Sequence, residues 1–411
     1  MSLLEIVRNG INSKVEEKDI LQFDNLIFIK DLNEYSTAII KNKFKTINKD
    51  SSFEFADLRD SDSFFEKGFH SLVLYALGIK LFEWFNVFLK EKLSALPEIN
   101  NSTVCPKEKY WFEYIWRLAS FYHDVMTENE KKDTSTIIKK FMPCLTCADF
   151  TVEKFLNNCD DLKFKGIQYN IYGNYKRINT IIRLLSSITQ TYKKKIINSY
   201  FRKRLAAAKL DHGIIAGYVF YNQLVKNYLE KDKRAAKSPD GSFSIGNLRY
   251  RPCHLLLFKF IADAIIAHNI WHYNNGSEQA YKLWGLEKLS PQNRLSLKKN
   301  PLAFMLGLLD TIEPVKYFCK DDNKIKPKEV LESIDIELSH EMNQQSIIIS
   351  LTKTIDVINF DNWFDNKLKD MMDWLDLTVE HIQGTKEIKI TIPSLEKEIA
   401  KQNNCSEEIK P

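Results

Sequence analysis

Apolar residues recur mostly at helical intervals along this chain. Between Phe64 and about Lys92, Leu74, Leu77 and Leu81 return at i+3 and i+4 steps, the pattern of one buried face on an amphipathic helix. The loop sequence ALPEINNSTVCP follows, and a second helix is predicted from about Tyr110 to Met126. Residues 127–175 are weakly periodic, and 176–210 read as a basic helix that leads into a third apolar-faced segment, LDHGIIAGYVFYNQLVKNYL. Residues 231–252 contain the turn signal SPDGS and read as an exposed loop. A fourth helix spans about Cys253–Tyr273, and a fifth, PLAFMLGLLDTIEP, opens on a proline and meets another just past its end. Beyond residue 330 the period changes: SIDIEL, SIIISL and EIKITI alternate or are β-branched and predict strands, with an amphipathic helix over Phe360–Gln383 between them. The expected architecture is mainly α, with a helical domain over 1–330 and a small α+β appendage over 331–411. Residues 1–50, mixed runs of apolar and polar residues, form a lead-in without a firm assignment.

Composition supports this reading. Gly and Pro number only 13 and 11 in 411 residues, about half the average share, and both residues punctuate sheets and linkers. Long helices are therefore favoured over a sandwich or barrel. Seven cysteines, an odd count in a long chain, point to free thiols in a reducing compartment. The N-terminus shows no signal-peptide pattern and no stretch has the apolar length of a membrane span, so the expected location is cytoplasmic, with no membrane partner. The net charge of +5 divides into +13 over residues 1–330 and −8 over 331–411, which makes the helical part the side suited to an anion.

The helices carry an anomaly. Each places a histidine or aspartate where its apolar stripe belongs. His70 shares a face with Leu74, Leu77 and Leu81; steps of four align Trp111, Ile115, Ala119 and His123, with Asp124 beside it. His212 goes with Ala216, Val219 and Phe220, His268 with Leu257, Ile261 and Ala264, and Asp310 with Leu302 and Leu306. A buried carboxylate or imidazole is costly unless it is paired or coordinates a metal. A lone inward histidine is ordinarily a satisfied core residue, but five helices each aiming a ligand-type group at one interior is the way bundles build metal sites.

The ordered set His70, His123–Asp124, His212, His268, Asp310 resembles the HD superfamily of metal-dependent phosphohydrolases. The resemblance is carried by KGFHSLVLYAL, LASFYHDVM, LDHGIIAGYVF, AIIAHNIWHY and NPLAFMLGLLDTIEP, over about residues 65–315. It implies an HD-type helical bundle core, and a first metal held by His70, His123, Asp124 and Asp310. It also implies a second metal held by His212 and His268, with Asp124 bridging. One or two divalent ions are expected, and mixed imidazole and carboxylate ligands suit Mn, Fe, Co, Ni or Zn, and Mg less well. Asp124 and His212 are the candidate catalytic residues, His212 either as a ligand or as a general acid toward the leaving group. Many members continue the HD pair with glycine and lysine; here HDVMT follows, so any role of that lysine is absent or supplied elsewhere.

Further candidates lie around this set. Residues 176–210 hold ten Lys or Arg and no acid, a feature of phosphate or nucleic-acid binding and equally of a solvated face. Arg202, Lys203 and Lys209, near His212, are the candidate substrate contacts, with His272 one turn beyond His268. The 231–252 loop joins two ligand helices and reads as a lid or an ordinary surface loop. Cys144-x-x-Cys147 with Cys159 lacks the further ligands of a zinc site and reads as incidental. His254, His340 and His381 carry no assigned role, and the absence of a P-loop or GxGxxG disfavours kinases, P-loop NTPases and dinucleotide enzymes. The expected activity is hydrolysis of a phosphoester or phosphoanhydride bond in a nucleotide or other phosphate-containing small molecule by a metal-activated water. The alternatives are a nucleotide-sensing regulatory protein without turnover, and a metal-dependent nuclease acting on nucleic acid.

Overall fold

The computed structural model describes residues 63–94, 108–124, 211–221 (apart from 215, 218 and 219), 243–245, 248–250, 253–268, 294–319, 325, 327–341, 344–352 and 359–393. The described part is mainly helical with one small four-stranded antiparallel sheet. The helices α1 (Ser63–Lys80), α2 (Phe82–Ser94), α3 (Glu108–Tyr122), α4 (Cys253–Ala267) and α5 (Pro301–Ile312) form the body. The pattern over Phe64–Lys92 is two helices rather than one, separated at Leu81, which is buried at the junction.

α5 is the axis of the body. It is apolar all round, and every residue from Pro301 to Ile312 except Thr311 is buried, as expected of a helix with neighbours on all sides. It packs against α1, α2, α3 and α4. Pro301 starts it at a position where a missing N–H costs nothing. Pro314 stops it by forcing the preceding Glu313 out of the helical region, to φ −70° and ψ 111°. Glu313 then caps the short helix α6 (Pro314–Phe318), its side chain accepting from the Val315 and Lys316 amides.

Glycines set how closely two helix pairs approach. A Cβ at Gly78 of α1 would collide with the Trp116 indole of α3 and come within 2.7 Å of Met305. Trp116 is fully buried there and donates its indole N–H to the Tyr75 carbonyl at 3.0 Å. The segment beginning at Asp211 lies against α4 in the same way: a Cβ at Gly213 would stand 2.9 Å from the Ile265 carbonyl, and one at Gly217 2.6 Å from Ile266.

After α7 (Pro327–Ser333) come β3 (Ile334–Glu341) and β4 (Gln344–Leu351), then a helical link, then β5 (Thr378–His381) and β6 (Glu387–Thr391); the sheet order is β3-β4-β6-β5. Alternation is clear: Ile334, Ile336, Ile347, Ile349, Val379, Ile388 and Ile390 are buried, whereas Glu337 and Glu380 are exposed. All three predicted strands are present. The helix expected over Phe360–Gln383 is not continuous. It comprises α8 (Phe360–Trp363), a π-helical turn (Phe364–Leu368) and α9 (Met371–Trp374), after which the chain becomes β5. The π turn inserts a residue, with the Lys369 amide bonding back to the Phe364 carbonyl at 2.9 Å, and Leu375 turns extended to bridge Leu295. The sheet region is tied to the helical body by this bridge, by Trp374 against Gly307, and by the Lys80 ammonium on the Ile336 carbonyl at 2.6 Å.

The 231–252 stretch, expected as a loop, contains a hairpin of β1 (Phe243–Ile245) and β2 (Leu248–Tyr250), with Ile245 opposite Leu248. The intervening sequence is Gly-Asn, the chemistry of a two-residue hairpin turn. The expected basic helix over 176–210 lies outside the described residues. No described helix is long and apolar enough to cross a membrane.

The Gly78 contact makes a stability test with a defined sign. Gly→Ala inside a helix ordinarily stabilises by up to about 1 kcal/mol. Gly78→Ala is expected instead to destabilise by about 1–3 kcal/mol, the cost of overpacking, measured as a lower urea midpoint with an unchanged slope.

Candidate metal centre

Five helical segments deliver their polar groups to one point. His70 lies mid-way along α1. His123 and Asp124 follow the last turn of α3, where the His123 amide still bonds the Ala119 carbonyl at 3.1 Å. His212 begins a helical segment that Asp211 caps, its Oδ1 accepting the Ile214 amide at 3.0 Å. His268 ends α4, and Asp310 sits in the last turn of α5. All are buried except His212, whose side chain is 11% exposed.

Two sets of ligand atoms result: His70, His123, Asp124 and Asp310; and Asp124, His212 and His268, each set lying within a 4.8 Å span. Asp124 belongs to both, one oxygen to each. Its Oδ2 lies 3.8 Å from His70 Nε2 and 3.6 Å from His123 Nε2, whereas its Oδ1 lies 3.0 Å from His212 Nε2 and 3.7 Å from His268 Nε2. Asp310 Oδ1 completes the first set, 2.9 Å from His70 Nε2 and 3.4 Å from His123 Nε2.

The outward nitrogens of three imidazoles are anchored. His123 Nδ1 donates to the Ser120 carbonyl at 2.8 Å and His268 Nδ1 to the Ile265 carbonyl at 2.6 Å, each one turn back on its own helix. His70 Nδ1 donates to Glu313 Oε2 at 2.7 Å. With Nδ1 carrying the proton, a neutral ring turns its Nε2 lone pair inward, the tautomer and orientation that metal-bound histidines take from such outer partners. His70 Nε2 and His123 Nε2 face one another at 3.3 Å, an arrangement that repels unless a cation lies between or a proton is shared. His268 Nε2 is buried with no hydrogen-bond partner, which is costly for a polar atom. The donor set fits one or two divalent ions on these grounds. Its chemistry, imidazole with carboxylate, leaves the metal's identity open.

Electrostatics in the centre are dominated by compensation. Burial acts to raise the Asp124 and Asp310 carboxyls, but the Lys316 ammonium and the facing histidines outweigh it and hold both well below the usual carboxylate range. Burial lowers His123. Burial and Lys316 also act to lower His70, yet hydrogen bonds to Asp310 and Glu313 raise it to about 9.

All six expected ligands are together. Two participants were not foreseen. Lys316 Nζ bonds Asp310 Oδ1 at 2.7 Å and Asp124 Oδ2 at 3.4 Å. Glu313, 1% exposed, holds His70. The available signal was Asp310, Glu313 and Lys316 at steps of three within an otherwise apolar stretch, obscured by Pro314. Arg202, Lys203, Lys209, His272 and the cysteines Cys144, Cys147 and Cys159 lie outside the described residues. The side chains of His254 and His340 are likewise undescribed; His381 lies in β5 beside Phe364, 3.5 Å from Asp361 and away from the centre. No family model, curated protein or solved structure matches the chain.

Two measurements test this geometry. A raised folded-state pKa contributes stability that is complete below the unfolded value and lost as pH rises through the folded one. Chelator-treated protein should therefore lose stability to urea between about pH 6.5 and about pH 9 as His70 deprotonates, by an amount on the order of 3 kcal/mol. Saturating divalent metal should flatten that profile, because a coordinated imidazole has no Nε2 proton to lose. Separately, Glu313→Ala should weaken metal binding by about 10–100-fold, seen by competition with a chelating dye, with Glu313→Gln the milder variant.

Proposed function

We propose that this protein is a metal-dependent phosphohydrolase of the HD type, hydrolysing a phosphoester or phosphoanhydride bond of a nucleotide-type substrate. The observation that carries the reading is Asp124, which turns one carboxylate oxygen to each of two histidine-containing ligand sets. A single carboxylate shared in this way suits two adjacent divalent ions. Together with Asp310, the four histidines match in order and type the pattern seen in the sequence.

His70, His123, Asp124 and Asp310 would hold one ion, and Asp124, His212 and His268 a second. When bound, such ions would supply Lewis acidity there, toward water and toward phosphoryl oxygens. The chain's own residues do the rest. Asp310 and Asp124 stay ionised through the neutral range, ready as ligands without losing protons. Glu313 fixes the His70 ring. His212 directs Nε2 to Asp124 Oδ1 at 3.0 Å, which supports its reading as a ligand over that of a free general acid. The buried helices around the centre exclude bulk water from its inner side, so the charges act at short range in a low dielectric.

Metal analysis of purified protein and a Mn²⁺-supplemented screen of nucleoside phosphates, cyclic dinucleotides and single-stranded nucleic acids test the reading together. The expected result is up to two ions per chain and hydrolysis of at least one substrate class, with Asp124→Ala losing both metal and at least about 10³-fold in rate, since it removes a ligand of both sets. Absence of bound metal, or metal content and turnover unaffected by Asp124→Ala, would sink it. Tight nucleotide binding without turnover would instead favour a sensor.

A further inference from the structure

Among the described residues at the centre, Lys316 and His212 have the most exposed side chains. The His123 side chain is 0% exposed, Asp310 5%, Asp124 6%, His212 11% and Lys316 33%. Solvent therefore reaches the described centre chiefly at the Lys316 and His212 side chains, and Lys316 is the cationic one of the two places open to an anionic ligand. The Lys316 ammonium sits on Asp310 Oδ1 and Asp124 Oδ2, atoms of the first ligand set. It thus occupies the positions a divalent ion would use. The two cations cannot both hold those oxygens at short range, because like charges in a buried site repel strongly.

From this we propose that Lys316 is the phosphate-binding residue of the centre, held in reserve by the carboxylates and released toward solvent when a metal takes them. The inference rests on the metal-centre reading above and assigns the substrate-facing charge within it. The backbone supports such a move. Lys316 stands in the first turn of the five-residue helix α6, whose start is held by Glu313, so the helix stays anchored while the flexible four-carbon side chain swings. A compact ammonium with three donors then serves an oxyanion as readily as it served two carboxylates. The centre also keeps a cation against its buried carboxylates at each stage.

The test uses full-length, chelator-stripped protein and two titrations followed by calorimetry. Mn²⁺ is titrated first, and inorganic phosphate is then titrated into the Mn²⁺-saturated protein. Lys316→Met is expected to bind Mn²⁺ about tenfold more tightly, or better, because the competing charge is gone. The same variant should bind phosphate about tenfold more weakly, or worse, and Lys316→Arg should restore most of the phosphate affinity. Unchanged or weaker Mn²⁺ binding by Lys316→Met, or phosphate binding indifferent to it, overturns the proposal while leaving the metal centre standing. If neither protein takes up metal, the metal-centre reading fails and the proposal with it. Should Lys316→Met not fold, acetylation of Lys316 in the wild-type protein is read by mass spectrometry with and without Mn²⁺. Labelling that rises several-fold with metal supports release of the side chain, and unchanged labelling overturns it.

Discussion

Asp124 and Asp310 are buried in a helical core, in contact with Lys316 and, between them, with four histidines, one of which is held by Glu313 on its other side. Two ionised carboxylates in such a place cannot be tolerated without compensation, and the surrounding arrangement answers that demand. Lys316 supplies one positive charge directly. His70, itself raised to about 9 by Asp310 and Glu313, supplies another as an imidazolium. Protons and the lysine ammonium thus do at this centre what divalent ions would do more completely, and the competition among these cations ties its charge state to its ligand chemistry.

The backbone creates the conditions for that compensation through helix ends. His123, Asp124, His212, His268 and Asp310 all lie in or next to a first or last helical turn. End positions let a side chain leave a packed helix and reach a shared point without interrupting the apolar stripe behind it. Pro314 is the strongest example. It ends α5 just after Asp310, obliges Glu313 to turn extended, and so lets one carboxylate cap α6 and anchor His70 at once. Gly213 has the complementary role on the other side: only a residue without Cβ allows the His212 segment to lie this close to Ile265 and His268 of α4.

The described sheet region packs against the helix that carries Asp310. Trp374 rests on Gly307 of α5, and Leu295 bridges Leu375, with hydrogen bonds of 2.8 Å to Trp374 and Asp376 on either side. The helix that carries Asp310 is therefore gripped from the sheet side as well as by α1–α4. A centre whose ligands must agree within a fraction of an ångström benefits from such support.

Periodicity in the sequence determined the helices of the described body, the three predicted strands and the six polar residues that stand on apolar faces and meet at one point. Each of these is a local property: an apolar stripe at 3.6 residues, an alternation at 2, and a polar residue out of place on the stripe. The same reasoning merged α1 with α2 and ran a helix through the π turn at Phe364–Leu368, because a one-residue shift at a junction leaves the pattern of hydrophobicity almost unchanged. It also overlooked the β1–β2 hairpin, too short to outweigh its polar surroundings. Only the tertiary structure decided which Asp124 oxygen faces which histidines, that Glu313 belongs to His70 across 243 residues, and that Lys316 faces Asp124 from 192 residues away. Those pairings depend on how closely helices cross and where each side chain points after they have, and no spacing along a chain encodes a distance between helices.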